Sequence, residues 1–144
     1  MSGAPSHPIP TVQLSDYLPL GGLFLSSFLA ATLLPGGSEL VLVGVLKLNA
    51  ALFWPSMAVA TVGNTLGGLS SYALGWLLPK APVQGRVQWV RRFGAPVLFL
   101  AWVPIVGDAL CVAAGWLRLH WLGVTAFMAA GKFIRYWVIG MVSV

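Results

Sequence analysis

The sequence predicts an all-α integral membrane protein, on the evidence of its composition, its apolar runs and a duplicated pattern of acids and cations. Hydrophobic residues make up 58% of the 144-residue chain and charged residues 8%, whereas about a quarter of a soluble domain is charged. The formal charge of +5 comes from eight Lys and Arg residues against three acids. Because the cations stand between apolar runs rather than in clusters on a soluble face, they indicate membrane topology and no nucleic-acid partner.

The first half of the membrane domain, residues 17–78, is predicted to contain a broken apolar run and one spanning helix. Residues 1–16 are rich in Pro and Ser and lack Lys and Arg, so we expect a flexible tail rather than a signal peptide. The apolar run 17–47 is interrupted by Leu-Pro-Gly-Gly-Ser-Glu at 34–39. The run 55–78 is continuous and long enough for a helix across the hydrocarbon core, which needs about 20 residues.

A polar, basic segment over 79–96 separates the two halves and contains no acid. Its cations are Lys80, Arg86, Arg91 and Arg92. The positive-inside rule places this segment in the cytoplasm. Its stretch 86–93 is amphipathic, and we expect it to lie on the anionic inner leaflet. Two further cations, Lys47 and Arg118, stand at the ends of apolar arms, where snorkelling to the interface explains them.

The second half, residues 97–144, repeats the plan of the first. A broken apolar run covers 97–117 and is interrupted at 104–108, and a continuous run covers 121–144. The arms that follow the two breaks, 38–47 and 108–117, would reach about 15 Å as helices, half of the roughly 30 Å core. Such short arms favour re-entrant hairpins, although two kinked full crossings would also fit the pattern.

The duplication extends to individual residues. Glu39 follows Pro35 by four positions, and Asp108 follows Pro104 by the same step. Each half then carries a glycine, a polar residue, a tyrosine and a second glycine: Gly63, Asn64, Tyr72 and Gly75, then Gly131, Lys132, Tyr136 and Gly140. One hairpin plus one spanning helix crosses the membrane once, so the two halves must be inverted relative to each other. Inverted repeats are typical of secondary transporters, whose site lies at the repeat interface.

The acids at the two breaks, Glu39 and Asp108, are the candidate coupling residues for protons or substrate. A carboxylate at mid-depth costs at least about 2.5 kcal/mol, so it usually has a partner or a function. Each acid would lie in the first turn of its returning arm, where the helix dipole favours an anion. Ser38 stands beside Glu39 and is a candidate cavity-lining residue. The alternative for both acids is a helix cap or a structural ion pair.

Three residues of the last apolar run, Lys132, Arg135 and Tyr136, are predicted to share one helix face by their i, i+3, i+4 spacing. The two cations would bind an anionic head group, since Arg offers phosphate a bidentate fork. Alternatively, they only neutralise the two acids. Tyr136 would line the cavity, and Asn64 would either do the same or form a bond between helices.

A small-residue stripe recurs at every fourth position: Gly63, Gly67, Ser71 and Gly75. This spacing lets two membrane helices approach closely, within the fold or in a homodimer. Cys111 stands alone in an apolar run, so no disulfide framework or zinc site is expected. The sequence also shows no catalytic triad and no phosphate loop. We therefore expect neither an enzyme nor a bound metal or cofactor.

Several motifs in order resemble the YqaA-type branch of the DedA family, within the superfamily that carries the VTT, or SNARE-associated, domain. They are LPGGSE at 34–39, VGNTLGG at 62–68, WVPIVGD at 102–108, AAGW at 113–116 and GKFIRY at 131–136. The resemblance implies a multi-pass protein of the bacterial inner membrane with two opposed re-entrant hairpins. It also implies a role in membrane homeostasis, since relatives are linked to polyprenyl-phosphate movement and lipid scrambling.

The family's hairpin acids correspond to Glu39 and Asp108. Better-known members carry arginines around the proline of the second hairpin, whereas Ala101 and Gly107 stand near that proline here. In this chain Lys132 and Arg135 would supply the positive charge instead.

Three hypotheses follow. The first is a proton-coupled transporter or flippase of an anionic lipid head group such as a polyprenyl phosphate. The second is a proton-coupled exporter of small cations or drugs, with the acids binding the substrate. The third is a structural or assembly membrane protein whose buried charges only pair with each other.

Overall fold

Helices account for the regular structure of the chain in the computed structural model, which describes residues 14–31, 37–82, 85, 87–103 and 106–144. No β-strand occurs in these ranges. The helices are α1 (Leu14–Ala30), α2 (Gly37–Leu48), α3 (Phe53–Leu77), α4 (Val87–Phe93), α5 (Val106–Trp116) and α6 (Trp121–Ser143). Two 3₁₀ helices cover Ala50–Leu52 and Ala95–Trp102.

The helix ends match the segments that the sequence predicts, with one difference at the start. Helix α1 begins at Leu14, inside the stretch expected to be a tail, and residues 1–13 of that stretch lie outside the described residues. The two breaks also fall partly outside them, at 32–36 and 104–105. The short helices α2 and α5 follow the breaks and have 12 and 11 residues.

Local chemistry explains how two of the elements begin. Gly94 has a φ of 68°, in the left-handed region that glycine favours, and it precedes the 3₁₀ helix Ala95–Trp102. Pro96 then occupies the first turn of that helix, where a missing N–H costs no internal hydrogen bond. At the other short turn, the side chain of Asn49 accepts a hydrogen bond from the backbone N–H of Ala51 at 3.1 Å and so caps Ala50–Leu52.

The two long helices, α3 and α6, run antiparallel through the middle of the fold. Gly140, near the end of α6, packs against Phe53 and Met57 at the start of α3. At the opposite end, the Tyr72 hydroxyl of α3 donates to the Leu119 carbonyl at 2.5 Å, just before α6 begins.

Each long helix packs along its length against an element of its own half. Gly63 of α3 packs on Phe24 of α1, and Gly67 packs on Phe28, so α1 runs parallel to α3. In the second half, Gly123 of α6 packs on Ala95 and Gly131 packs on Phe99, so the 3₁₀ helix Ala95–Trp102 runs parallel to α6.

The short helices cross over to the other half. Helix α5 packs against α3, with Gly115 against Tyr72, and α2 packs against α6. The cluster that contains Leu42, Met57 and Tyr136 joins α2, α3 and α6. As a result, α1 begins near the start of α3, and α2 ends there. In the same way, the 3₁₀ helix Ala95–Trp102 begins near the start of α6, and α5 ends there. Corresponding elements of the two halves thus lie at opposite ends of the α3–α6 pair, although α5 packs on α3 much more extensively than α2 packs on α6.

The surface carries many large apolar side chains, although the interior is mostly apolar as well and also holds one lysine. Lys132 is 2% exposed, whereas Leu40 is 79% exposed and Val142 is 83% exposed. The buried polar residues of the described ranges are Ser27, Ser38, Ser56, Asn64, Thr65, Ser71 and Lys132. Because soluble proteins rarely expose large contiguous apolar surfaces, this outer surface suits a hydrocarbon environment.

Among the described helices, α6 alone is both long and apolar enough to span a membrane. Helix α3 has 25 residues, about 37 Å at the usual rise, and so is long enough. The sequence predicts a span here as well, but the Gly, Ser, Thr and Asn residues of α3 lower its hydropathy. Most of these residues face inward, where they allow close packing, while Trp54, Leu66 and Leu74 face outward.

Candidate functional site

The predicted cationic face of α6 forms the centre of the candidate site. Lys132 and Tyr136 are buried, and Arg135 is partly buried beside them. Residues three and four apart on a helix are neighbours, so the three side chains lie within about one turn. They face α2, α3, the 3₁₀ helix Ala95–Trp102 and α5.

Glu39 and Arg135 form a salt bridge between α2 and α6. Their side chains are 31% and 14% exposed, so the pair lies at the edge of the interior rather than deep within it. Glu39 is in the first turn of α2, where the positive end of the helix dipole stabilises its carboxylate. It is the one salt bridge found among the described residues.

The hydroxyl of Tyr136 joins three helices. It accepts a hydrogen bond from Asn64 Nδ2 of α3 at 2.8 Å. It shares a second hydrogen bond, 2.9 Å long, with the hydroxyl of Ser38 in α2. Both bonds are buried, so this hydroxyl satisfies two polar groups that would otherwise be unpaired inside the protein. The bonds fix α2 against the two long helices immediately behind Glu39.

Lys132 occupies the buried space next to this network. Its Nζ donates to the backbone carbonyl of Asn64 at 2.7 Å. A Cβ atom at Gly68 would lie 3.0 Å from the same Nζ, so the glycine makes room for the lysine side chain. Cys111 of α5 lies beside the lysine, since its Sγ and the lysine Nζ both lie within 3.4 Å of a Cβ placed at Gly68, and Asp108 of α5 is the nearby acid.

Each predicted acid is thus associated with one predicted cation, although not equally closely. Glu39 contacts Arg135 directly, while Asp108, in the first turn of α5, interacts with Lys132 without a salt bridge in the described part of the chain. Sequence reasoning missed that Cys111 lies beside the lysine. The Sγ of Cys111 is also 3.7 Å from Met128 Sδ. The sequence of an apolar run gives no signal that would predict these contacts.

A cleft of about 570 Å³ opens at the Glu39–Arg135 pair. Its remaining lining is provided by α6 and the 3₁₀ helix of the second half: Phe99, Trp102, Gly131, Ile134, Val138 and Ile139. The cleft therefore combines one ion pair with an otherwise apolar wall. Such a space suits an amphiphile with a small charged group and a long apolar part.

Two further groups of predicted residues lie outside the lining of the cleft. Ser38, Asn64 and Tyr136 form the hydrogen-bonded wall behind it. The small-residue stripe is used inside the protomer, since Gly63 and Gly67 pack on α1, and the Ser71 hydroxyl lies 3.4 Å from the Ala31 carbonyl. Gly75 packs instead on the backbone of α5.

No group of three or more His, Cys, Asp and Glu residues that could hold a metal ion occurs in the ranges that the structure describes. The polar groups of the site are two acids, two cations and a network of hydroxyls.

We expect Tyr136→Phe to lower the free energy of unfolding by about 1–3 kcal/mol, because it leaves buried groups of Ser38 and Asn64 without their shared partner. The measurement is denaturant unfolding in detergent micelles. Tyr17→Phe is the matched control, since Tyr17 is exposed, and its unfolding should match that of the wild type. Equal stability of all three proteins would contradict the role assigned to the network.

Comparison with known proteins gave close relatives. The chain is 43% identical over 135 residues to the inner membrane protein YqaA of Escherichia coli, covering 91% of this chain and 95% of that protein. The YqaA of Shigella flexneri matches equally well. An uncharacterized protein of Haemophilus influenzae is 41% identical over 126 residues, covering 79% of this chain and 80% of that protein.

No family model matches the chain, and no solved structure matches it. The identity and near-complete coverage of the YqaA proteins nevertheless decide the family. They agree with the five motifs that run in order through both halves. The chain belongs to the YqaA-type branch of the DedA family.

Proposed function

We propose that this protein is a multi-pass transporter of the bacterial inner membrane that moves an anionic lipid head group, such as a polyprenyl phosphate, and so supports membrane homeostasis. The observation that carries the proposal is the Glu39–Arg135 pair at an apolar cleft of about 570 Å³. A phosphate would bind at the pair, and the apolar chain would lie along the cleft and extend into the bilayer.

Arg135 is the residue that would bind the phosphate. Its guanidinium offers parallel N–H donors that match two phosphate oxygens. In the present structure the carboxylate of Glu39 takes that place. Protonation of Glu39 would remove its charge and free Arg135, so that one proton on the acid accompanies one phosphate on the arginine. This exchange would couple lipid movement to a proton gradient.

Lys132 and Asp108 would contribute to the electrostatic potential near the cleft. Lys132 is buried, and Asp108 lies close enough to act on it electrostatically. Glu39 would carry the coupled proton, while the charge of Asp108 would adjust the electrostatic potential behind the cleft.

The packing of the two halves supports opposed re-entrant hairpins arranged as an inverted repeat. The chain enters α1 and leaves α2 at the same end of the α3–α6 pair. It enters Ala95–Trp102 and leaves α5 at the opposite end of that pair. Alternating exposure of the cleft would follow from rocking of one half against the other.

The competing hypotheses differ in the role of the ion pair. In a cation exporter, the acids bind the substrate and Arg135 is dispensable for binding. In a structural protein, the pair only holds α2 against α6. The test must therefore separate loss of transport from loss of fold.

The experiment is lipid exchange in proteoliposomes that contain a reporter-tagged polyprenyl phosphate, with Arg135→Gln, Asp108→Asn and wild-type protein in parallel. We expect Arg135→Gln to slow exchange roughly 10- to 100-fold, the value of a lost charge-assisted hydrogen bond. Asp108→Asn should also slow it. Lys47→Gln is the matched control, because it removes the same charge from an exposed position at the end of α2.

A second variant addresses folding. The double change Glu39→Gln and Arg135→Gln leaves no buried charge unpaired and allows an amide–amide hydrogen bond, so it should remain folded and still fail to exchange lipid. Full exchange by this folded double variant would reject the proposal, as would exchange in wild-type vesicles no faster than in empty ones.

A further inference from the structure

A basic pocket of about 250 Å³ lies far from the cleft, at the end of the molecule where α3 and α5 terminate. Three cations line it, and they come from three separate segments: Lys80 after α3, Arg91 in α4 and Arg118 after α5. No acidic side chain of the described residues lines it. The pocket therefore concentrates positive charge without an internal counter-ion.

Arg118 occupies a backbone position that favours glycine. Its φ is 53°, in the left-handed region. The N–H of Leu119 bonds to the Ala114 carbonyl at 3.0 Å, and the N–H of Arg118 bonds to the Gly115 carbonyl at 2.9 Å. This pattern is a Schellman cap, in which glycine usually occupies the left-handed position because it has no Cβ. An arginine there carries a conformational cost that points to a use for its side chain.

The walls of the pocket are held by specific contacts. The guanidinium carbon of Arg118 lies 4.8 Å from the centre of the Trp76 ring, a cation–π arrangement. The indole N–H of Trp116 donates to the Pro79 carbonyl at 2.9 Å, which fixes the residue before Lys80 against the end of α5. The cations are thus partly organised before any anion arrives.

An apolar groove of about 600 Å³ lies between α4, which contains Arg91, and α5, whose C-terminal end Arg118 follows. Its lining residues are Val87, Trp89, Val90, Val106, Ala109, Leu110 and Ala113. On α5, Ala113 lines the groove, and Trp116 and Leu117, three and four residues later, line the pocket, so the apolar and basic surfaces are adjacent. Positive charge next to an apolar groove is complementary to a phosphodiester attached to an acyl chain.

We propose that this site binds an anionic membrane phospholipid, with its phosphate in the pocket of Lys80, Arg91 and Arg118 and an acyl chain in the groove between α4 and α5. The site is separate from the cleft at Arg135 and does not depend on transport. It would hold this end of the protein at an anionic leaflet.

The test uses the full chain in an uncharged detergent, titrated with short-chain phosphatidylglycerol while the thermal unfolding midpoint is followed. The variant is Arg118→Gly, which removes the guanidinium and gives the cap its preferred residue. We expect it to be at least as stable as the wild type without lipid, and to bind phosphatidylglycerol about tenfold more weakly. Lys47→Gln removes an equal charge elsewhere and should bind like the wild type.

Three results would overturn the proposal: equal phosphatidylglycerol binding by Arg118→Gly, equal stabilisation of the wild type by phosphatidylcholine, or equal stabilisation by inorganic phosphate. The last result would assign the pocket to free phosphate. Arg135→Gln removes the phosphate-binding group of the cleft and should leave phosphatidylglycerol binding unchanged, so the outcome here does not depend on the transport proposal.

Discussion

Replacing Glu39 with Gln should abolish the response of lipid exchange to a pH gradient. In the wild type, one proton per phosphate and a gradient of one pH unit would give a steady-state accumulation of about tenfold, since one unit corresponds to about 1.36 kcal/mol per proton. In Glu39→Gln the side chain cannot gain or lose a proton, so the accumulation ratio should fall to about one. The measurement is the distribution of the tagged lipid across the vesicle membrane, with the membrane potential clamped.

A conservative variant and a double variant complete this test. Glu39→Asp keeps a titratable acid and should keep part of the response to the gradient. The double change Glu39→Gln and Arg135→Met replaces the pair with uncharged side chains, and it shows how much of any lost stability belongs to the salt bridge. A tenfold accumulation by Glu39→Gln would exclude this acid as the coupling residue.

Replacing Gly115 with Ala should destabilise the protein strongly, by about 3 kcal/mol or more. The added Cβ would overlap the backbone carbonyl of Tyr72, and backbone cannot move aside as a flexible side chain can. Helices α3 and α5 would have to separate, although their contact joins the two halves of the chain. Gly75→Ala should act similarly, because its Cβ would overlap the Val112 carbonyl.

Gly44→Ala in α2 provides the matched control. No atom of another element lies within 4 Å of the position of its Cβ, and the residue is exposed. A glycine in a helix interior costs about 0.5–1 kcal/mol relative to alanine, so this variant should be unchanged or slightly more stable. Unfolding in mixed micelles measures all three variants, and equal stabilities would show that α3 and α5 do not pack in the way described.

Much of the candidate site is predictable from short stretches of sequence. Glu39 and Asp108 each follow a proline-containing break and begin a short apolar arm, and both lie in the first turn of a helix. Lys132 and Tyr136 are four residues apart, which places them on the same buried face of α6. These features depend on helical periodicity and on the free-energy cost of placing a charge in an apolar run. Both effects are determined by residues that are close together in the sequence.

The partners of these residues could not be predicted in the same way. The spacing allows Glu39 to pair with Lys132 or with Arg135, and the structure pairs it with Arg135. Ser38 and Tyr136, which are 98 positions apart, share a hydrogen bond. Such contacts depend on how far each helix is rotated and displaced against its neighbours.

The composition and the repeated motifs of the chain are sufficient to indicate a helical membrane protein of the YqaA-type branch and to select the four charged residues of the candidate site. Tertiary structure decides which charges meet, that the glycine stripe is buried within the protomer, and that Lys80, Arg91 and Arg118 surround one pocket. The physical reason is that burial and periodicity act locally along the chain, whereas a cleft or pocket exists only between elements brought together by packing.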